Sequence, residues 1–249
     1  MIRTSRSEGI AEIALDRATK RNALTPAMLD GLTDAVAELD ADDGARAVLL
    51  RGEGESFCAG FDLKMCAEEE GTLDALLRGL SRAVRAMRRC EKPVIICAHG
   101  AAIAGGCALL GGGDVVVTER AAKLGYPVVR IGISPAVSAP TLAGAIGGGA
   151  ARERLLEPRV FSGEEAHELG LAHVCEGDAS ACLERGREIA HTASSHPIGA
   201  MRATKRWLNG TDGTNDEETF ERALRASLGI LGNEDERHAL RSMWGAETA

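Results

Sequence analysis

Between His99 and Asp114 the chain reads HGAAIAGGCALLGGGD, six glycines with no formal charge before the last residue. Glycine at that density presents backbone rather than side chains, because without a Cβ another group can approach the amides. A phosphate-binding P-loop follows its glycines with Lys and Ser or Thr, but Gly106 and Cys107 stand there after Gly100 and Gly105. A dinucleotide fingerprint needs G-x-G-x-x-G straight after a strand, and neither GAAIAGG nor GEGESF supplies it. The G-x-S-x-G elbow of serine hydrolases is missing too, since GISPA holds only its first half. What remains is a strand, a glycine turn and a helix starting near Gly105 and Gly106. The first N–H groups of a helix lack intrahelical partners and lie at the positive end of its dipole, so they can hold an oxyanion. The competing reading is that these glycines only let backbone segments pack closely.

Other side chains narrow the chemistry further. Seven cysteines, at 58, 66, 90, 97, 107, 175 and 182, are an odd number with no C-x-x-C pair. That usage fits reduced thiols in the cytoplasm rather than a disulfide framework or a zinc site, and no metal site is expected. A net charge of −8 argues against nucleic acid, whose phosphates need a basic face. It leaves room for a phosphorylated small molecule met by a few local Lys and Arg residues. The start, MIRTSRSEGIAEIAL, lacks the apolar stretch of a secretory signal. The uncharged run from Pro93 to Gly113 reads as buried strand, turn and short helix rather than a membrane span, given its glycines, His99 and the strand-like PVIICA.

The elements that must position these residues alternate along the chain. GIAEIALD (9–16), RAVLLRG (46–52), KPVIICA (92–98), DVVVTE (114–119) and AHVCE (172–176) read as strands. A helix over 24–40 opens with Thr25 as N-cap and Pro26 at its first position, and Met28, Leu29, Leu32, Val36 and Leu39 share one face. Leu73, Leu76, Leu77, Leu80, Val84 and Met87 make a second helical stripe. The segment 138–157 suggests two helices with a glycine break, and Ser162 with Glu165 forms a capping box that opens a helix through Leu169. From Ala179 onward the pattern is helical only, with Pro197 and the Thr214/Glu217 pair marking starts. At 45% hydrophobic and 27% charged residues the chain can bury a sizeable core. The fold class expected is an α/β core followed by an α-helical C-terminal region.

SFCAGFDLK (56–64) together with KPVIICAHGAAIAGGCALL (92–110) resembles the paired oxyanion segments of the crotonase, or enoyl-CoA hydratase/isomerase, superfamily. LDRATKRNALTPAMLDGL near the start, LGYPVVRIGISPA and FSGEEAHELGLAHVC extend the likeness in the family's order, over about residues 10 to 210. The resemblance implies a spiral of ββα units, residues 1–195 forming an acyl-CoA-binding core and 196–249 a helical region for oligomerisation and a pocket lid. It implies trimers or dimers of trimers, acyl-CoA thioesters as partners, and coenzyme A as part of the substrate rather than a tightly bound cofactor. Carried over residue by residue, the two oxyanion amides are the backbone N–H groups of Phe61 and Gly105. Contacts to the CoA moiety fall on Lys20, Arg21 and Ala23, and on Asp62, Leu63 and Lys64. Lys20 and Arg21 suit phosphate, although exposed charges are often simply solvated, and Asp62 suits capping of its turn.

The likeness breaks where hydration would need it most. The family's hydratases add water with two glutamates, a task that suits a paired acid and base; the matching positions here are Ala108 and Val128. Ile133 to Ser138, where other members carry an acid, holds none. Substitutes are few. Tyr126, the only tyrosine, reads more naturally as a core or rim residue, His99 as a hydrogen-bonded structural histidine, and Cys107 and Cys58 as small buried thiols. Two readings follow. One is an enolate-type enzyme, an atypical hydratase, isomerase or decarboxylase; the other is a catalytically inactive acyl-CoA binding or sensor protein.

Overall fold

A computed structural model describes residues 1–245. Its large sheet has six strands: β1 (Ile2–Ser7), β2 (Ile10–Leu15), β3 (Ala47–Gly52), β4 (Val94–Ala98), β6 (Val115–Glu119) and β9 (Val174–Glu176), adjacent in that order. Only the β1–β2 hairpin is antiparallel; every later neighbour is parallel. A small sheet of β5 (Ala101–Ile103), β7 (Lys123–Gly125) and β8 (Val160–Ser162) stands beside it.

The two sheets are built turn by turn. β4 passes through Gly100 into β5 and then helix α4 (Gly105–Leu109); β6 passes into β7 and then the 3-10 turn Pro127–Ile131. After β3 the chain contributes a single bridge to the small sheet, Cys58 beside Ala102, before helices α2 (Leu63–Glu68) and α3 (Thr72–Arg89). The turns from β4 and β6 thus lay one strand in each sheet and end in helix, and the β3 turn follows the same path with its single bridge, a spiral of ββα units. Gly100 is required at the corner: its φ is +63°, and a Cβ there would collide with the Glu55 carbonyl.

The helices follow from their sequences. In α1 (Pro26–Ala41) the Thr25 side chain accepts from the Met28 N–H, and Met28, Leu29, Leu32, Val36 and Leu39 are buried. In α3 the buried stripe runs from Leu73 to Met87. These two helices cover one face of the large sheet, and α8 (Ala179–Ser195) covers the other over Leu49, Ile95, Cys97 and Val117. The glycine break falls at Gly147, between α5 (Ala139–Ile146) and α6 (Gly148–Leu156).

The C-terminal helices are α9 (Ile198–Thr211), α10 (Glu217–Leu228) and α11 (Glu234–Gly245); Ala246–Ala249, the end of the expected 196–249 region, lie outside the described residues. Lys205 on α9 is buried and reaches into the core, with Nζ 2.6 Å from Asp114 and 2.9 Å from the Lys92 carbonyl. α10 lies on α3 through Arg85 and Arg89, which pair with Glu217 and Glu221.

Two local expectations change. The helix placed at Thr214/Glu217 is capped by Asp216, whose carboxylate accepts from the Thr219 N–H, because Thr214 is held in the preceding turn by Asp212. In α7 (Gly163–Glu168) Ser162 caps the Glu165 N–H, but the Glu165 carboxylate turns to Arg154 and Arg159 instead of closing the box. A guanidinium pair is a stronger partner for a carboxylate than one neutral N–H.

Candidate active site

Both amides expected to do chemistry are uncommitted, for reasons of local geometry. Leu24 bridges Phe61 in parallel fashion, donating to the Gly60 carbonyl at 2.7 Å and accepting from the Asp62 N–H at 2.9 Å. A bridge of this kind uses the groups on either side of Phe61 and turns the Phe61 N–H the other way. Gly105 opens α4, where the first intrahelical bond is Ala108 N–H to the Ala104 carbonyl. Ala104 itself is tied at 2.7 Å to the Gly125 carbonyl. Among the described residues, neither the Phe61 nor the Gly105 N–H donates to the protein.

The two segments touch. A Cβ on Gly105 would lie 2.8 Å from Cε1 of Phe61, and one on Gly106 would collide with the Cys58 carbonyl. The close packing that the sequence offered as one reading is present at both glycines, and the Gly105 N–H has no acceptor among the described residues. Ala104 turns the chain into α4 with φ 52° and ψ −111°, a region that residues other than glycine enter only at a cost of about 1–3 kcal/mol.

Asn22 stitches the site together, a role that sequence reasoning missed. Fully buried, its side-chain amide donates to the carbonyls of Glu53, Ser56 and Phe57, and its oxygen accepts from the Arg17 N–H. His99 supports the same loop from behind. Its Nε2 lies 2.9 Å from the Gly54 carbonyl and its own carbonyl accepts from the Phe57 N–H. That engagement holds His99 as a buried structural group, with Nδ1 unpartnered.

The residues expected at the CoA moiety come together beside the amides. Arg21 takes a left-handed conformation, φ 49°, and its carbonyl accepts from the Ala59 N–H, drawing 20–23 against 59–64. Lys20, Arg21 and Lys64 are exposed; Ala23, Asp62 and Leu63 are half-buried. Asp62 caps α2 through the Met65 N–H and pairs with Arg17 at 2.7 Å. Burial pushes its carboxyl up, but the Arg17 hydrogen bond and the Met65 amide outweigh burial and hold it below the ordinary range.

Ala108 and Val128 stand in apolar surroundings. Ala108 is buried one turn beyond Gly105, beside a cavity of 10 Å³. Val128 packs in a cluster with Phe61, Leu73 and Leu77. Tyr126 and Cys107 are both buried. Burial lifts the Tyr126 hydroxyl well above its ordinary value, and lifts the Cys107 thiol to about 11. Cys58 is pushed by burial to about 12. At neutral pH these groups are therefore protonated and enclosed. Ala108 and Val128 themselves bring no acid or base, so what the two segments offer an oxygen is the pair of N–H donors.

Comparison with known proteins agrees with this architecture. A model of the enoyl-CoA hydratase/isomerase family matches residues 5–238. An enoyl-CoA hydratase of Mycobacterium tuberculosis is 30% identical over 243 residues, covering 92% of this chain and 88% of that protein. The structure of OdaA from Pseudomonas aeruginosa superposes with a TM-score of 0.86 at 30% identity, covering 98% of each chain. An enoyl-CoA hydratase structure from Bacillus halodurans shares the fold, TM-score 0.87, at 22% identity, covering 97% of this chain and 99% of that one. Among the described residues, no helix is long and apolar enough to cross a membrane.

Proposed function

The chain belongs to the enoyl-CoA hydratase/isomerase family and has the crotonase fold, and from that premise we propose that it binds an acyl-CoA thioester with the carbonyl oxygen on the Phe61 and Gly105 amides. The observation that carries this reading is the pair of uncommitted amides on two segments that touch. Lys20, Arg21, Ala23 and Asp62 to Lys64 receive the CoA portion, and coenzyme A enters only as part of the substrate. Backbone donors of this kind are worth about 10²–10³ in rate each when negative charge develops on the oxygen they hold.

The reaction is of the enolate type, as an atypical hydratase, isomerase or decarboxylase. Each acid or base contributes about 10²–10⁴-fold, so with Ala108 and Val128 in the glutamate positions, two-glutamate hydration falls away. A step that makes the enolate without removing a proton suits the site better. In loss of carbon dioxide from a malonyl-type ester, the C–C bond breaks, its electron pair becomes the enolate, and CO₂ leaves. The region 196–249 serves as pocket lid and oligomer contact, in trimers or dimers of trimers, and the protein works in the cytoplasm.

A second reading is a catalytically inactive acyl-CoA binding or sensor protein. It draws on the burial of Tyr126 and Cys107 and the hold of Gly54 on His99, which turn these three away from the part of the absent carboxylates. Incubating the protein with enoyl-, malonyl- and 3-hydroxyacyl-CoA esters, with binding and turnover measured separately, decides between the two. Turnover of any ester supports the enzyme; binding with no turnover leaves the sensor; no binding of any CoA ester rejects both.

A further inference from the structure

Glu236, in the first turn of α11, is 7% exposed and is the one buried carboxylate among the described residues; no Lys, Arg or His side chain pairs with it there. Taking a carboxylate out of water without a counter-charge is costly, and such a group beside a pocket is a candidate for chemistry. Its place is fixed by a reciprocal cap: the Glu236 N–H donates to Asn233 Oδ1 at 2.8 Å, and Glu236 Oε2 accepts from the Gly232 N–H at 2.9 Å. A cap of this kind uses one oxygen and forms as well with glutamine, so it accounts for Oε2 and not for the charge. Oε1 accepts no hydrogen bond among the described residues. The turn sits directly on Gly132, where an added Cβ would lie 2.5 Å from the Glu236 nitrogen. Gly132 in turn ends the 3-10 turn that carries Val128, its N–H returning to the Val128 and Val129 carbonyls. On its other side α11 meets α2, where the Cys66 thiol is pushed to about 12 by burial first and then by the charges of Asp62 and Glu236. Cys66, Val128 and Leu231 pack in one apolar cluster with Phe61, so the carboxylate borders that cluster from the Val128 side.

We propose that Glu236 is the acid–base residue of the site, exchanging a proton with the second carbon of an acyl group whose carbonyl oxygen is held by the Phe61 and Gly105 amides. The proposal rests on the acyl-CoA reading above. Val128 stands where the family's second glutamate would reach inward, and the C-terminal helix brings a carboxylate to the same cluster from outside the spiral. As a base, the Glu236 carboxylate takes a proton from the second carbon; the C–H electron pair becomes the enolate double bond, and the charge passes to the thioester oxygen on the two amides. As an acid, Glu236 returns the proton to that carbon. Loss of CO₂ from a malonyl-type ester needs no base, but the enolate it leaves must still gain a proton. Protonated Glu236 supplies it and is reprotonated from water. Ala108 brings no partner to direct a water, so this one carboxylate makes and quenches enolates without hydrating a double bond.

Incubating the full chain with butanoyl-CoA in D₂O tests this, with deuterium on the second carbon read by mass spectrometry and affinity by calorimetry. The unaltered protein should bind the ester and deuterate it. Glu236→Gln keeps an acceptor for the Gly232 N–H, so it should bind butanoyl-CoA within about twofold of the unaltered protein while exchange falls about 100-fold or more. Asp235→Asn removes the same charge from the exposed neighbour on the same turn and should leave exchange as it is. Binding without deuteration by the unaltered protein overturns the proposal. It is overturned too by a Glu236→Gln protein that exchanges at the unaltered rate or no longer binds the ester, and by equal losses in the two variants. In each of those cases the acyl-CoA reading stands; if the unaltered protein binds no CoA ester, both fall.

Discussion

Asn22 shows how much of the site rests on one side chain. Its amide closes three carbonyls of the 53–57 loop at once, and without it those buried groups lose their donor. Asn22→Ala should cost about 3 kcal/mol in urea denaturation, and acyl-CoA affinity should fall with it, since that loop leads to Phe61. A loss under about 1 kcal/mol would mean that the loop holds itself. The cysteines give a second test at this scale. Cys58 and Cys107 are buried and their thiols are pushed to about 12 and about 11, so the thiolate that reacts with disulfide reagents is scarce at pH 8. Burial pushes the half-buried Cys66 thiol to about 12 as well, so native labelling at that pH should be confined to the half-buried Cys175, the rest reacting only on unfolding. Rapid modification of Cys107 in mass spectrometry would restore it as a nucleophile. The resemblance singles out positions 108 and 128, where Ala and Val stand, because a motif fixes the order of its residues. Asn22 was not legible, because an isolated polar residue has no pattern to show that it is buried.

Among the elements, α4 and the turn before it concentrate the conformational cost. The sequence marked the turn by its glycines, yet the residue with the unusual torsion is Ala104. Ala104→Gly removes the Cβ that opposes φ 52°. The relief of about 1–3 kcal/mol exceeds the backbone entropy that glycine adds, about 0.5–1 kcal/mol, so the variant should be more stable by roughly 1 kcal/mol in thermal unfolding. A destabilised variant would show that the turn is not strained. Long elements such as α1, α3, β3 and β4 were legible because their apolar residues repeat over several turns or form an uninterrupted run. β5, β7 and β8 have three residues each, too few to display a period. β1 reads IRTSRS with its residues half-buried or exposed, so it lacks the alternation that marks a strand.

At the scale of the whole molecule, α10 closes the small cavity beside Ala108 through Phe220. No periodicity in the sequence pairs residue 220 with residue 80; that contact comes from the order in which the spiral and the tail are wound. Phe220 on α10 is buried against the cavity lined by Leu80, Val84 and Ala108, and Arg85 lies over its ring at 5.7 Å while pairing with Glu217 and Glu221. The ring is thus held under Arg85 and closes that cavity, which on the proposed reading is where the acyl group would end. Phe220→Ala should lower stability by about 3 kcal/mol, the ordinary cost of deleting a buried aromatic ring, and should lengthen the cavity along its former axis. The ratio of affinities for hexanoyl-CoA over butanoyl-CoA should then rise several-fold, because about 0.8 kcal/mol accompanies each newly buried methylene. The two readouts separate the roles: a stability loss with an unchanged ratio assigns Phe220 to packing alone, whereas a shifted ratio makes the tail of the chain part of the acyl specificity.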